Sequence, residues 1–219
     1  MKSKAMKAVY IILILLPFAV TATALQILPD DIPAHYGAGG AVDRWGSKYE
    51  MLIMPGANLL MGLFMLGMAR LAAKKEQSGS NNEKVTLIAG VCVLVLFNAM
   101  TYIFLYNAYK NVNTLSDEAD FYSLEFGIMG LLFIFLGNYM PKLRMNGAIG
   151  FRTSWTMKNE EIWKISQRIA GISMMTAGAV IFILALFTKG WVCMVLSGVI
   201  FVAMIIADLI VSYRISLKY

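Results

Sequence analysis

The chain has 219 residues, of which 59% are hydrophobic and only 15% charged, with a net charge of +6. Soluble domains average about half apolar and about a quarter charged, so the excess apolar surface has to face lipid and a soluble globular protein is excluded. The basic excess is spread over short segments between apolar runs; topology and anionic lipid account for it, and no direct nucleic-acid partner is implied.

Six apolar segments approach the roughly 20 residues that a helix needs to cross a bilayer. They run at about 8–28, 51–73, 85–107, 121–140, 169–188 and 191–213. The sequence therefore predicts an all-α polytopic membrane protein with six transmembrane helices in one bundle. The first segment lacks a small-residue cleavage site, since Leu28-Pro29-Asp30 follows directly, and reads as a retained helix. Cys92 and Cys193 fall inside the third and sixth segments with no metal or disulfide spacing.

The loop after the first segment, Leu28–Lys48, has two prolines that stiffen its start and four glycines that permit positive φ. It holds His35, the single histidine, beside Asp30, Asp31, Asp43 and Glu50. Two readings are open. One is a folded turn in which His and Asp share hydrogen bonds. The other is a site for zinc or a similar metal built on His35 and Asp43, which requires about three protein ligands within ~2.0–2.3 Å. Trp45 and Tyr49 suit an interfacial aromatic belt. In the second segment Asn58, and in the third Asn98, are placed to hydrogen-bond across helices two and three.

Lys74–Lys84 reads as a flexible polar linker, dividing an amino-terminal helical hairpin with a structured outer loop (1–73) from a four-helix region (85–219). Asn111–Asp120 is acidic through Asp117, Glu118 and Asp120, and Thr188-Lys189-Gly190 is a tight turn between antiparallel helices. Glycine pairs such as Gly127 and Gly130, and Gly171 and Gly178, mark places where helices can approach closely. No internal repeat is visible, which leaves an inverted-repeat transporter without support.

The fourth loop, within 137–168, differs from an ordinary spacer. It holds Asn138, Lys142, Asn146, Gly150, Arg152, Thr153, Trp155, Thr156 and Trp163 in one run. Arg152 can form bidentate bonds to carboxylate or phosphate, lipid headgroups included. Asn159 fits a helix cap, with Glu160 and Glu161 in the favoured first turn. Two readings are open here as well: a surface helix anchored by Trp155 and Trp163, with Trp163 facing the membrane, or a docking platform for a partner. Asp208, about a turn and a half from the end of the sixth segment, is expected to pair with Arg152, Arg168 or Arg214 and clamp this loop.

Lysine and arginine divide 15 to 4 between the two sides. The positive-inside rule then predicts both termini in the cytoplasm.

Both loops carry a family resemblance. Pro-Asp-Asp-Ile-Pro-x-His followed by glycines, Asp, Trp, Gly, Ser and Lys resembles the amino-terminal domain of unknown function of the SdpI family, with His35, Gly40, Asp43 and Lys48 on its motif. Gly-Asn-x-Met-x-Lys, then Asn, then Gly-x-Arg-Thr-x-Trp-Thr and a downstream Trp resembles the family's carboxy-terminal signature. The two follow in the family's order and span most of the chain. The resemblance implies a non-enzymatic immunity protein of the bacterial cytoplasmic membrane. Its partners would be the lipid bilayer, a secreted peptide toxin and a small helix-turn-helix repressor held at the membrane, with no cofactor. One departure stands out: relatives place Thr-His before the final Arg, where this chain has Ser166-Gln167-Arg168. The alternative is a membrane-embedded metal-dependent enzyme or a small transporter using the loop around His35. No nucleophile elbow, zinc-protease helix or phosphate loop supports the enzyme.

Overall fold

A computed structural model describes residues 4–37, 40–74, 81–113 and 120–219. Six helices are long and apolar enough to span a membrane. They are α1 (Lys4–Ala24), α2 (Ile53–Lys74), α3 (Asn81–Lys110), α4 (Phe121–Gly137), α5 (Glu160–Phe187) and α6 (Gly190–Ser216). This is the all-α polytopic architecture that the apolar segments predict. Leu60, Phe64, Phe187 and Val199 point outward from the bundle, as lipid-facing side chains do. α3 is the most enclosed helix and α6 the least. α3 packs along α1, α2 and α4, while α4, α5 and α6 pack on one another.

Two contacts set the bundle's geometry. At the α4–α5 crossing the backbones nearly touch: a Cβ on Gly130 would lie 2.7 Å from the Gly178 carbonyl, and one on Gly137 2.6 Å from the Gly171 carbonyl. Small residues are what such an approach requires. In α1, Pro17 lacks an N–H, so the Leu13 carbonyl one turn earlier has no helical donor. The amides of Asn58 in α2 and Asn98 in α3 each donate to that carbonyl at 2.9 Å. The two asparagines do not bond to each other, as the sequence suggested; a proline-orphaned acceptor in helix one draws both.

Helix boundaries moved where polar residues proved helical. α5 begins at Glu160, nine residues before its apolar segment, because Asn159 caps it by accepting from the Ile162 N–H at 2.8 Å. Glu160–Arg168 is thus the first turns of α5 and no separate surface helix. Likewise Asn81–Lys84, read as linker, is the first turn of α3. The rest of that linker, 75–80, and the acidic Asp117 and Glu118 lie outside the described residues. Asp120 caps α4, accepting from the Tyr122 N–H at 3.2 Å, and its other oxygen accepts from the Gly190 N–H at 2.8 Å, which fastens the α5–α6 turn.

The helices alternate, so the α1–α2, α3–α4 and α5–α6 connections share one end of the bundle. The other end has the α4–α5 loop and the beginning of α1. At the first end the chain folds unexpectedly into an antiparallel hairpin, β1 (Asp31–Tyr36) and β2 (Val42–Ser47), with Asp31 opposite Ser47 and Tyr36 opposite Val42. Ile32 is buried on a cluster with Leu28, Met51, Leu105 and Ala108, which seats the hairpin on α3. The Val42 N–H donates to the Asn113 carbonyl and the Tyr36 hydroxyl to the Val112 carbonyl, at 2.9 and 3.1 Å.

Candidate functional site

The α4–α5 loop is a folded element whose backbone groups are paired by its own polar side chains. A short 3-10 turn, Met140–Lys142, ends α4, and the Lys142 ammonium sits 4.3 Å above the Tyr139 ring. Asn146 is buried and holds a tight turn: its carbonyl oxygen accepts from the Ala148 and Ile149 N–H groups at 2.8 Å each, and its amide donates to the Arg144 and Ile149 carbonyls. Asn82 grips the same strand from α3, accepting from the Arg144 N–H at 3.0 Å and donating to the Arg144 carbonyl at 3.2 Å. Thr153 and Thr156 cap each other: each backbone N–H donates to the other's hydroxyl, at 2.8 and 3.1 Å.

Two α5 side chains underlie this loop. Trp163 is only 2% exposed and donates to the Leu143 carbonyl at 2.9 Å, among Val85, Leu143, Ile149 and Met157. It is the loop's internal post, which corrects the expectation of a membrane-facing anchor. One face of the first α5 turns is covered by the loop, so the lipid never reaches it. Gln167 is 0% exposed; its oxygen accepts from the Phe151 N–H and its amide donates to the Phe151 carbonyl, both at 2.9 Å. Gly150 lies against both side chains with φ +115°, and a Cβ there would be 2.8 Å from the Gln167 oxygen and 2.9 Å from the Trp163 ring. Only glycine meets both demands.

Trp155 reaches away to α6, donating to the Ser212 hydroxyl at 3.0 Å and meeting the Tyr213 ring edge-on at 5.5 Å. The structure thus brings together Asn146, Gly150, Thr153, Trp155, Thr156 and Trp163. Asn138, Lys142 and Arg152 stand exposed at the rim. Asp208 is 6% exposed, but among the described residues no arginine pairs with it; its polar neighbour is the Ser173 hydroxyl. The expected clamp from Arg152, Arg168 or Arg214 is absent because all three guanidinium side chains lie on the exposed surface. Asn82 and Ser212 escaped the sequence reading, and Gln167 stood out only as a departure from the family pattern, since each is one polar residue in a helix with no local pattern to mark its role.

At the opposite end, His35 Nδ1 and Asp43 Oδ1 are 2.5 Å apart across the hairpin, 62% and 52% exposed. Gly40, at φ +80°, turns the chain between them. Lys48 pairs with Asp30 at 2.8 Å, and Arg44 makes two bonds to Glu50 at 3.1 and 2.8 Å. The Lys48 ammonium holds the Asp30 carboxyl below the usual carboxylate range, Glu50 raises the Arg44 guanidinium, and burial pushes the Tyr36 hydroxyl to about 12. Among the described residues no group of three His, Cys, Asp or Glu side chains is placed to hold a metal ion. His35 and Asp43 thus form a two-residue pair, while Asp30 and Glu50 are engaged with Lys48 and Arg44. Trp45 and Tyr49 are exposed beside it, as an interfacial belt requires.

These features define a multi-pass membrane protein with a charged hairpin at one end and a self-capped polar loop at the other. Residues 142–212 match the SdpI/YfhL protein family and residues 12–59 a domain of unknown function (DUF1648). The chain is 25% identical over 200 residues to "Immunity protein SdpI" of Bacillus subtilis (strain 168), covering 91% of this chain and 90% of that one. Over 28 residues the chain is 57% identical to an uncharacterized protein of Archaeoglobus fulgidus, covering 13% of this chain and 15% of that one. Along most of its length the chain is thus similar to a member of the SdpI family, and its carboxy-terminal third matches that family's model. No solved structure matches it.

Proposed function

We propose that the protein is a non-enzymatic immunity protein of the bacterial cytoplasmic membrane that protects its cell from a secreted peptide toxin. The observation that carries this reading is the similarity to Immunity protein SdpI along nine-tenths of both chains, which takes in the hairpin and the α4–α5 loop together. In this reading both termini and the α4–α5 loop are cytoplasmic, as the division of basic residues favours. Region 1–73, with the hairpin residues His35, Gly40, Asp43 and Lys48, meets the toxin. Region 85–219 presents the loop, whose exposed Arg152, Lys142 and Asn138 form the docking rim for a small helix-turn-helix repressor. The internal bonds of Asn146, Gln167, Thr153 and Thr156 hold that rim in shape without using Arg152. A metal-dependent enzyme at His35 has less support, because the pair there offers two donors.

The test is to express the chain in a toxin-sensitive bacterium and challenge it with the secreted toxin. Survival should rise with the amount of protein in the membrane. Arg152→Ala should accumulate normally and keep resistance, but no longer bring the repressor into the membrane fraction. Abundant wild-type protein that gives no survival advantage would refute immunity. An abundant Arg152→Ala variant that loses resistance would move the loop into the protection step itself.

A further inference from the structure

Beneath the α4–α5 loop, where α3, α4, α5 and α6 converge, lies a cavity of about 310 Å³. Val85, Leu136, Met174 and Met204 form walls from four helices, and Phe151 of the loop joins the lining. Among the described lining residues Asp208 alone is ionisable. Its carboxyl is buried, it has no cationic partner among the described residues, and the Ser173 hydroxyl beside it carries no charge to offset it. A carboxylate at membrane depth is costly unless a proton or a cation compensates it. A lipid acyl chain would fill the walls and leave that charge unmatched. The walls also include methionines, whose flexible, polarizable thioethers adapt to bulky ligands.

We propose that this cavity binds a monovalent organic cation with an apolar body, its charge against the Asp208 carboxylate and its body against Met174, Met204 and Phe151. The site differs from the toxin and repressor contacts proposed above: it is lined mainly by helix side chains beneath the loop, whereas those contacts use the exposed rim and the hairpin. Charge complementarity selects a cation, and the apolar walls select against hydrated ammonium or metal ions. Protons compete for the same carboxylate, so ligand binding strengthens as pH rises.

The test uses the full chain in phosphatidylcholine nanodiscs, with tetraphenylphosphonium as probe and empty nanodiscs as the partition control. Equilibrium dialysis should show saturable uptake of one probe per chain above that control. Asp208→Asn should weaken it by about tenfold or more, as expected for loss of a buried charge contact. Met204→Trp, which fills the cavity and spares the carboxylate, should abolish it. Should Asp208→Asn fail to fold, Met204→Trp and the pH dependence of wild-type binding decide the matter. Uptake no greater than in empty discs, or uptake unchanged by either substitution in a folded variant, would overturn the proposal.

Discussion

At the scale of single residues, the α4–α5 loop depends on side chains that replace secondary structure. Gln167 is the clearest case, because both polar ends of its amide serve one peptide unit, at Phe151. Gln167→Leu fills the same volume and removes both partners. Each buried backbone group so orphaned costs ~1–3 kcal/mol. Thermal unfolding in detergent should show a clear fall in midpoint for Gln167→Leu, with Gln167→Glu falling between it and the wild type because an acceptor remains. A Gln167→Leu midpoint equal to the wild type would mean that water or another group takes over at Phe151. Gly150 explains why the loop tolerates no larger residue beside this pair, since positive φ and the Trp163 ring both exclude a Cβ. None of this was legible from periodicity. A glutamine on a helix looks the same in sequence whether it faces water or a buried carbonyl.

At the scale of elements, α1 is joined to α2 and α3 by a defect. Pro17 frees the Leu13 carbonyl, and Asn58 and Asn98 supply what the helix lacks. Interhelical bonds of this kind contribute ~0.6 kcal/mol on average and up to ~2. The arrangement predicts a non-additive cycle. Asn58→Leu combined with Asn98→Leu should destabilise the wild-type background, yet cost markedly less once Pro17→Ala restores the helical N–H. Denaturant titration of all combinations checks this, and equal costs in both backgrounds would show that the asparagines act elsewhere. The proline and both asparagines could be read from the sequence as polar or helix-breaking residues at membrane depth. Their convergence on one carbonyl could not, because residues 13, 58 and 98 are joined only by how three helices rotate about their axes.

At the scale of the whole molecule, the six spans and the chain's sidedness belong together. The hairpin and the α4–α5 loop lie at opposite ends because three helices separate them. Exterior-active reporter fusions should be bright when inserted at Gly37–Gly40 and dark when placed after Tyr219. A bright reporter after Tyr219 would reverse the assignment and put the α4–α5 loop on the outer face. Composition, spacing and charge determined by themselves that this chain crosses a membrane six times, where its two informative loops fall, that Asn159 starts a helix and that Gly130 and Gly178 mark a close approach. Those properties follow from local patterns: hydrophobic length, cap chemistry and side-chain size. Tertiary structure alone decided that Trp163 is buried, that Asp208 faces a cavity and no arginine, that His35 meets a single carboxylate, and that the glycine-rich loop is a β-hairpin. Each of those depends on which surfaces are covered by distant parts of the chain. Burial changes what a residue does without changing anything near it in sequence.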